Sequence, residues 1–212
     1  MKNKKYFVVI IVILSLLLVL VACQDKNSTT ALIAQFVTDN GISYEILETT
    51  TDGNKEVYAK VSSVENPNNS QAVSDITIPS KIIYQENEYS VLSIGSLAFS
   101  KAKYSIIRIN EGIETIESFA FQRAESNVIY LPSTITYIGE YAFVDCLSLS
   151  IIHLEASIPP ELGDYAFMAY QKTTKKYTPS PILKIMVREE DISSYQDINK
   201  YPNWESYQGN LR

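Results

Sequence analysis

Side chains that could support acid–base, nucleophilic or metal chemistry are few in this chain and far apart in sequence. His153 is its one histidine, and it stands between Ile152 and Leu154 in an alternating run that predicts a solvated side chain on the outer face of a strand. The chain has no cysteine or acidic cluster at zinc-ligand spacing, no Gly-x-Ser-x-Gly motif and no phosphate-binding glycine loop. We therefore expect no catalytic residue, no metal, no cofactor and no enzymatic activity.

The two cysteines are predicted to have different roles. Cys146 follows Ala142-Phe143 at a position that suits a small buried side chain, so we expect it to pack in the core. Cys23 follows a basic start and an apolar run from Phe7 to Ala22, which together are typical of an export signal. An uncleaved membrane anchor is the alternative, because the run approaches the ~20 residues that a spanning helix needs.

The residues Leu20-Val21-Ala22-Cys23 resemble the lipobox of bacterial lipoproteins. The resemblance implies cleavage before Cys23, a diacylglycerol on its thiol, and a lipid-anchored protein of the cell envelope that faces either the surface or the periplasm. Cleavage would remove three lysines and no acidic residue, which takes the formal net charge from −6 to −9. An acidic chain of this kind argues against nucleic acid as a partner.

A repeat sets the organisation of the chain. The dipeptide Ala-Phe recurs with phenylalanine steps of 22, 22 and 24 residues, which indicates a solenoid. Its copies are Ala98-Phe99, Ala120-Phe121, Ala142-Phe143 and Ala166-Phe167. Short alternating runs around Ile107, Ile129, Ile152 and Ile185 predict one strand per coil, and successive strands should stack in parallel at ~4.8 Å.

The segments before the repeats predict β-hairpins. Alternation from Ile42 to Ile46 and from Val57 to Val61 flanks the turn-forming residues 51–54, and a second small hairpin is predicted around residues 85–88. These hairpins are expected to cover the first coil. The polar, aperiodic stretch from Gln24 to about Ala34 predicts a tether.

The repeat resembles the BspA-like class of leucine-rich repeats, which is found on bacterial surface proteins. Its clearest copy runs from Leu131-Pro132 through Ala142-Phe143 to Cys146, and the stretch after Leu183 resembles the segment that closes such arrays. The resemblance implies a β-rich leucine-rich repeat solenoid with a short parallel strand per coil, an N-terminal β-hairpin cap and few or no long helices apart from the signal segment. The expected organisation is a signal peptide at 1–22, a lipidated tether at 23–40, a hairpin cap at 41–75, the repeat array at 76–187 and a C-terminal cap at 188–212.

The outward positions of the predicted strands are the main candidate for a binding surface. If Ile107, Ile129 and Ile152 point inward, their neighbours point outward and form two columns. The candidate residues are Ile106, Val128 and Ile151 in one column and Arg108, Tyr130, His153 and Met186 in the other. An aliphatic row beside tyrosine and arginine has the composition of an interaction surface. The alternative is that the insertion described next, or a neighbouring subunit, covers the row.

Residues 171–181 depart from the repeat as an insertion. Lys172, Lys175, Lys176 and Tyr177 make it basic in an acidic protein, so it is a second candidate, a loop that contacts an acidic glycan or partner. A surface loop that only tolerates insertion is the commoner case.

The function predicted from the sequence is a binding or adhesion module. A lipid-anchored solenoid would bind a protein or glycan on a host or bacterial surface. The alternative is a structural envelope protein that self-associates through the same aliphatic row and has no separate ligand. A glycan-cleaving enzyme is disfavoured, because nothing fixes two carboxylates across a scissile bond.

Overall fold

The computed structural model describes residues 28–38, 40–65 and 75–212. The predicted signal peptide and Cys23 lie outside the described residues. The strands are β1 (Ser28–Val37), β2 (Ile42–Thr51), β3 (Asn54–Val64), β4 (Ile76–Ile78), β5 (Lys81–Tyr84), β6 (Asn87–Ile94), β7 (Ile106–Ile109), β8 (Thr115–Ile116), β9 (Val128–Leu131), β10 (Tyr137–Ile138), β11 (Ile151–Leu154), β12 (Glu161–Leu162), β13 (Met168–Gln171), β14 (Lys176–Pro179) and β15 (Lys184–Met186). The helical elements are the 3₁₀ helices Glu189–Asp191 and Pro202–Asn210 and the short helix α1 (Ile192–Gln196). Within the described ranges, no helix is both long enough and apolar enough to span a bilayer.

The coils are formed by two sheets, called here the first wall and the second wall, in which strands of successive coils pair in parallel. The first wall is a five-stranded sheet in the order β15-β11-β9-β7-β4. The second wall contains β6, β8, β10 and β12, and it continues through β3, β2 and β1. One parallel strand per coil in the first wall confirms the β-rich solenoid that the repeat predicts. The two-residue strands β8, β10 and β12 are too short for alternation to indicate them.

The repeated aliphatic and phenylalanine positions fill the interior. Ile107, Ile129 and Ile152 of the first wall have no exposed surface. The four phenylalanine rings stack in a ladder with centroid distances of 4.9, 4.8 and 5.2 Å, in the order Phe99, Phe121, Phe143 and Phe167. All belong to one buried cluster. Because each coil adds one ring and one isoleucine, neighbouring coils are held in a fixed register.

Cys146 lies in this interior, as predicted. Its thiol is buried, and Sγ donates a hydrogen bond to the carbonyl of Phe121 at 2.9 Å. Burial raises the pKa of the thiol to about 12. Ala102 and Ala124 are buried at the equivalent positions of the two preceding coils, which confirms that the position selects a small side chain.

Each Ala-Phe turn repeats an unusual backbone conformation. The residue before each alanine has a positive φ, of 61°, 61°, 55° and 59° for Leu97, Phe119, Tyr141 and Tyr165. This left-handed region costs an L-residue roughly 1–2 kcal/mol. Backbone hydrogen bonds between coils offset the cost: the amides of Phe99, Phe121 and Phe143 donate to the alanine carbonyl of the next coil at 2.7 to 2.8 Å. The turn buries alanine and phenylalanine and leaves the preceding side chain at the surface.

The N-terminal hairpin is confirmed and is larger than predicted. β2 and β3 form the expected antiparallel pair, and β3 then joins the second wall through β6. The prediction of a tether over residues 23–40 is wrong for Ser28–Val37, which form β1 and pair antiparallel with β2. Phe36 of β1 stacks on Tyr44 and Tyr84, at 5.7 and 4.6 Å between ring centroids. Pairing with an existing strand and this ring contact order a segment that has no alternation of its own.

The C-terminal residues cover the last coil with aromatic side chains. Trp204, Tyr195 and Tyr207 are buried, and Tyr207 packs edge-on against Phe167 at 5.3 Å. The polar atoms of these rings are satisfied: Trp204 Nε1 donates to the carbonyl of Pro160 at 2.9 Å, and the Tyr195 hydroxyl donates to Ala156 at 2.6 Å. The phenylalanine ladder therefore ends against an aromatic lid, and water does not reach it.

Candidate binding surface

The predicted surface lies on the outer face of the first wall, and the strand register assembles it as two columns. Ile106 lies opposite Val128, Val128 opposite Ile151, and Ile151 opposite Lys184. The second column follows the same register, in the order Thr77, Arg108, Tyr130, His153 and Met186. The structure thus brings all seven residues of the predicted surface onto one face and adds Thr77 and Lys184.

Burial alternates strictly along these strands. In β7, β9 and β11 the first and third residues are partly exposed, and the second and fourth are buried. The aliphatic row is therefore only partly exposed, because neighbouring coils shield its flanks. Full burial of such a side chain contributes ~1.5–3 kcal/mol, so covering the remaining exposed fraction of three contributes on the order of 1 kcal/mol. The row can shape an interface, but it cannot supply most of the affinity.

The second column forms a continuous stack. The Arg108 guanidinium lies 4.3 Å from the centroid of the Tyr130 ring. On the neighbouring strand, His153 stacks on Tyr130 at 4.4 Å, with an interplanar angle of 4°. A cation, a phenol and an imidazole are thereby held in one line at the spacing of the strands. Prior ordering of these side chains lowers the entropy that a partner must offset on binding.

The insertion is an ordered hairpin. β13 and β14 pair antiparallel, with the turn at residues 172–175, so the prediction of a loop is corrected. The backbone amide of Tyr170 donates to Asp145 Oδ1 at 2.8 Å, which fixes the hairpin to the preceding coil. Cross-strand pairing of Tyr170 with Tyr177 explains why this segment is ordered.

The hairpin packs on the Ala-Phe turns. Tyr177 contacts Tyr141 and Tyr165, with centroid distances of 5.6 Å to each. The hairpin does not cover the predicted surface, because Val128, Ile151 and the residues of the stack on β9 and β11 remain partly exposed. The three candidate lysines, Lys172, Lys175 and Lys176, are exposed around the hairpin turn. The structure therefore separates the two candidate sites that the sequence suggests.

The hairpin also completes a second aromatic row that sequence reasoning missed. The rings of Phe119, Tyr141 and Tyr165 stack at 5.1 and 5.0 Å on the outside of the turns. Partial burial among these rings, with the carboxylates of Glu140 and Asp164 nearby, raises the pKa of Tyr141. The signal in the sequence was the residue before each alanine, which is aromatic in three of the four Ala-Phe copies.

Within residues 28–38, 40–65 and 75–212, no three His, Cys, Asp or Glu side chains come together as metal ligands. His153 is engaged with the Tyr130 ring, and the Cys146 thiol is buried. The arrangement is that of a rigid surface with partly exposed apolar and cationic groups.

The family model of the BspA-type leucine-rich repeat region matches residues 68–188 in six copies. The chain belongs to the BspA-type leucine-rich repeat family. BspA-type arrays are interaction modules of the kind found in surface proteins, and the family is in general non-enzymatic. No curated protein matches the chain.

Several solved structures resemble the chain at low identity. A leucine-rich repeat protein from Bacteroides ovatus is 25% identical, with a TM-score of 0.48, and the match covers 73% of this chain and 38% of that one. A leucine-rich repeat protein from Bacteroides capillosus is 19% identical, with a TM-score of 0.49 over 72% and 97% of the two chains. The pneumococcal vaccine antigen PcpA is 20% identical, with a TM-score of 0.39 over 74% and 51%. The chain thus spans well under half of the Bacteroides ovatus protein.

Proposed function

We propose that the chain is a lipid-anchored protein of the cell envelope whose solenoid binds another protein through the outer face of the first wall. The observation that carries the proposal is the Arg108–Tyr130–His153 stack, which runs alongside the row of Ile106, Val128 and Ile151. Arginine and tyrosine are enriched among residues that dominate binding energy. Nothing in the fold of the wall requires these side chains on its outer face.

The two columns have different tasks in this proposal. The aliphatic row offers little area, so it excludes water and sets the shape of the contact. The stack supplies the anchor, because its exposed edges contact partner side chains and its side chains are already ordered before binding. Lys184 extends the aliphatic column with a charge, and Arg108 brings a second one. A partner that presents apolar side chains flanked by carboxylates complements this face.

The anchor is the second part of the proposal. The lipobox-like residues 20–23 support cleavage at Cys23 and attachment of the protein to a membrane. Four residues separate Cys23 from the start of β1 at Ser28, so the solenoid would lie within ~18 Å of the lipid when those residues are fully extended. Mass spectrometry of the mature N-terminus tests this directly. A lipidated Cys23 is expected, and an intact segment 1–22 with an unmodified Cys23 would refute it.

The alternative function is self-association through the same aliphatic row, without a separate ligand. The row supports it because Ile106, Val128 and Ile151 are aligned and partly exposed. Such self-association would bring the positively charged Arg108 against a second copy of the chain, which carries a net negative charge.

The experiment that tests the proposed surface uses residues 25–212, which contain every residue of the described core. This protein captures partners from envelope and host extracts, and the captured partner is then titrated against Val128→Ser/Ile151→Ser. We expect binding to weaken at least five-fold with the fold intact. The matched control is Val57→Ser/Ile83→Ser, which makes the same changes at exposed positions of the N-terminal hairpins and should bind like the original. Equal binding by both double variants would contradict the proposed surface.

A further inference from the structure

The outer edge of β1 differs from the other sheet edges of the molecule. Its ten residues contain no charged side chain, in a chain of which 20% is charged. The exposed fractions of Leu32, Ile33 and Val37 are 56%, 53% and 53%. Among residues 28–38, 40–65 and 75–212, β1 pairs with β2 on one side and with no strand on the other, so its other edge presents backbone donors and acceptors that no described strand pairs with.

Other edge strands of the described fold carry the usual protection against pairing. β4 has three residues and β12 has two, which is too short to template another strand. β5, β14 and β15 each contain a lysine, namely Lys81, Lys176 and Lys184. β13 has four residues, and Asp145 already bonds its backbone through the Tyr170 amide and the Met168 carbonyl. Short length and edge lysines are common means of preventing edge-to-edge contact. β1 has neither, and its ten residues span ~33 Å, divided by a bulge after Leu32.

We infer that β1 pairs antiparallel with β1 of a second copy of this chain, so that two solenoids form a dimer with a continuous sheet. In an antiparallel pair about a two-fold axis, residues at the axis lie opposite their own copies and the others lie opposite different residues of the same strand. A strand without charge can therefore pair with its own copy without placing a charge opposite an apolar side chain or a like charge. The absence of charge over all ten residues suits this self-pairing and offers a charged partner strand no complementary group. β2 and β3 do carry charges, including the pair Lys55–Glu48 at 2.8 Å.

The bulge in β1 locates the contact within the strand. The register with β2 shifts between Leu32 and Ala34, which leaves Ile33 without a partner. A bulge bends the strand, so the straight run before it, Ser28 to Leu32, is the longer of the two segments open to pairing. Pairing with β2 already orders this run, and the hydroxyls of Thr30 and Thr49 are hydrogen-bonded across the two strands at 3.0 Å.

The inference does not depend on the ligand surface proposed above. The dimer uses β1, at the far end of the second wall, and leaves the outer face of the first wall free. Two such faces on one assembly would allow bivalent attachment, in which the second contact forms at a raised effective concentration.

Sedimentation velocity on residues 25–212 over a wide concentration range tests the dimer. The original protein is expected to show a reversible monomer–dimer equilibrium. Ile33→Lys should be monomeric at every concentration, and it should fold normally because Ile33 has no β2 partner. Val57→Lys is the matched control, since Val57 is exposed on β3, outside the proposed β1 contact, and this variant should dimerise.

Four outcomes would overturn the inference. The original protein could remain monomeric at the highest concentration, or Ile33→Lys could dimerise as well as Val57→Lys. Loss of the dimer in Val128→Ser/Ile151→Ser would instead place the association on the outer face of the first wall. Binding of a monomer to phospholipid vesicles that Ile33→Lys abolishes would assign the edge to a lipid surface.

Cysteine cross-linking tests the geometry. Cys146 is buried and Cys23 is absent from residues 25–212, so an introduced cysteine is the one accessible thiol of the described fold. Antiparallel pairing about a two-fold axis predicts rapid disulfide dimers for Thr30→Cys or its neighbours Thr29→Cys and Ala31→Cys. Val57→Cys should not cross-link. Equal cross-linking at Val57 and in β1 would show random collision and would refute the paired strands.

Discussion

Tyr130 and His153 stack face to face on neighbouring strands, with ring centroids 4.4 Å apart and planes within 4° of parallel. The parallel register of β9 and β11 places them directly opposite each other. Arg108 covers the other face of Tyr130, so the ring is enclosed on both sides. The side chain proposed as the anchor of the binding surface is therefore held in place before any partner arrives.

Replacing Tyr130 tests this arrangement. Tyr130→Ala removes both contacts of the stack, so we expect the free energy of unfolding to fall by about 1 kcal/mol. Binding of a captured partner should weaken at least tenfold. Urea titration and biolayer interferometry give the two values. Tyr130→Phe is the control, because it keeps the ring; if it loses as much affinity as Tyr130→Ala, the hydroxyl rather than the stacked ring contacts the partner.

Two phenylalanines of one turn should differ sharply in their effect on stability. Phe121 lies in the buried ladder between Phe99 and Phe143, and Phe121→Ala should cost ~3–5 kcal/mol through the cavity it leaves. Phe119 is partly exposed and stacks on Tyr141 alone among these rings. Phe119→Ala should therefore cost ~1 kcal/mol. Urea unfolding measures both, and equal losses would contradict the inward and outward assignment of the turn.

The positive φ of Leu97 leads to a prediction about stability that the contacts of its exposed side chain would not suggest. Leu97 is 54% exposed and has a φ of 61°. Leu97→Gly relieves the left-handed strain of ~1–2 kcal/mol but frees the unfolded chain, so the net change in stability should be close to zero. Leu97→Val places a β-branched residue in that conformation and should lower the free energy of unfolding by about 1 kcal/mol. Thermal unfolding compares the two, and a more stable valine variant would argue against the strained turn.

Alkaline pH should destabilise the fold through Cys146. Burial raises the pKa of its thiol to about 12, whereas an unfolded cysteine titrates near ~8.5. The folded protein therefore retains a proton that the unfolded chain releases. The contribution of this group is constant below pH ~8.5 and falls by up to ~1.4 kcal/mol per pH unit as the pH rises toward 12. Burial also raises the pKa of Tyr207 to about 12, which adds to the loss above pH ~10.

Urea titrations between pH 7 and 10 measure this slope. Cys146→Ala is the matched variant, because Ala102 and Ala124 occupy the same position in other coils. It should be slightly less stable at pH 7 and should lose most of the pH dependence between 8.5 and 10. A variant that keeps the full slope would show that other groups cause it.

The two columns of the first wall could be predicted because strand side chains alternate. Once Ile129 is assigned to the interior, Val128 and Tyr130 must face outward, and the repeat length aligns each with its counterpart in the next coil. The partial burial of the row could not be predicted, because it depends on how closely neighbouring coils approach. The Arg108–Tyr130 contact likewise depends on rotamers that a sequence does not specify.

The missed elements share a different physical origin. β1 has no alternation, and it is ordered by pairing with β2 and by the rings that Phe36 contacts. The outer aromatic row of Phe119, Tyr141 and Tyr165 depends on positive φ angles, which neither helix nor strand periodicity reveals. The β13–β14 hairpin is held partly by Asp145 of another coil. In each case, tertiary contacts order a segment whose own sequence has only a weak preference for the structure that it adopts.

The strict alternation of buried and partly exposed residues has a consequence for how such a protein changes over generations. Ile129 and Tyr130 are adjacent in sequence, yet Ile129 is buried and is constrained by folding, whereas Tyr130 is partly exposed and is constrained by what the surface contacts. A codon change at an outer position alters the surface of one coil and leaves the interior untouched. A population can therefore diversify the exposed face one coil at a time, while the interior that holds the array together is inherited unchanged.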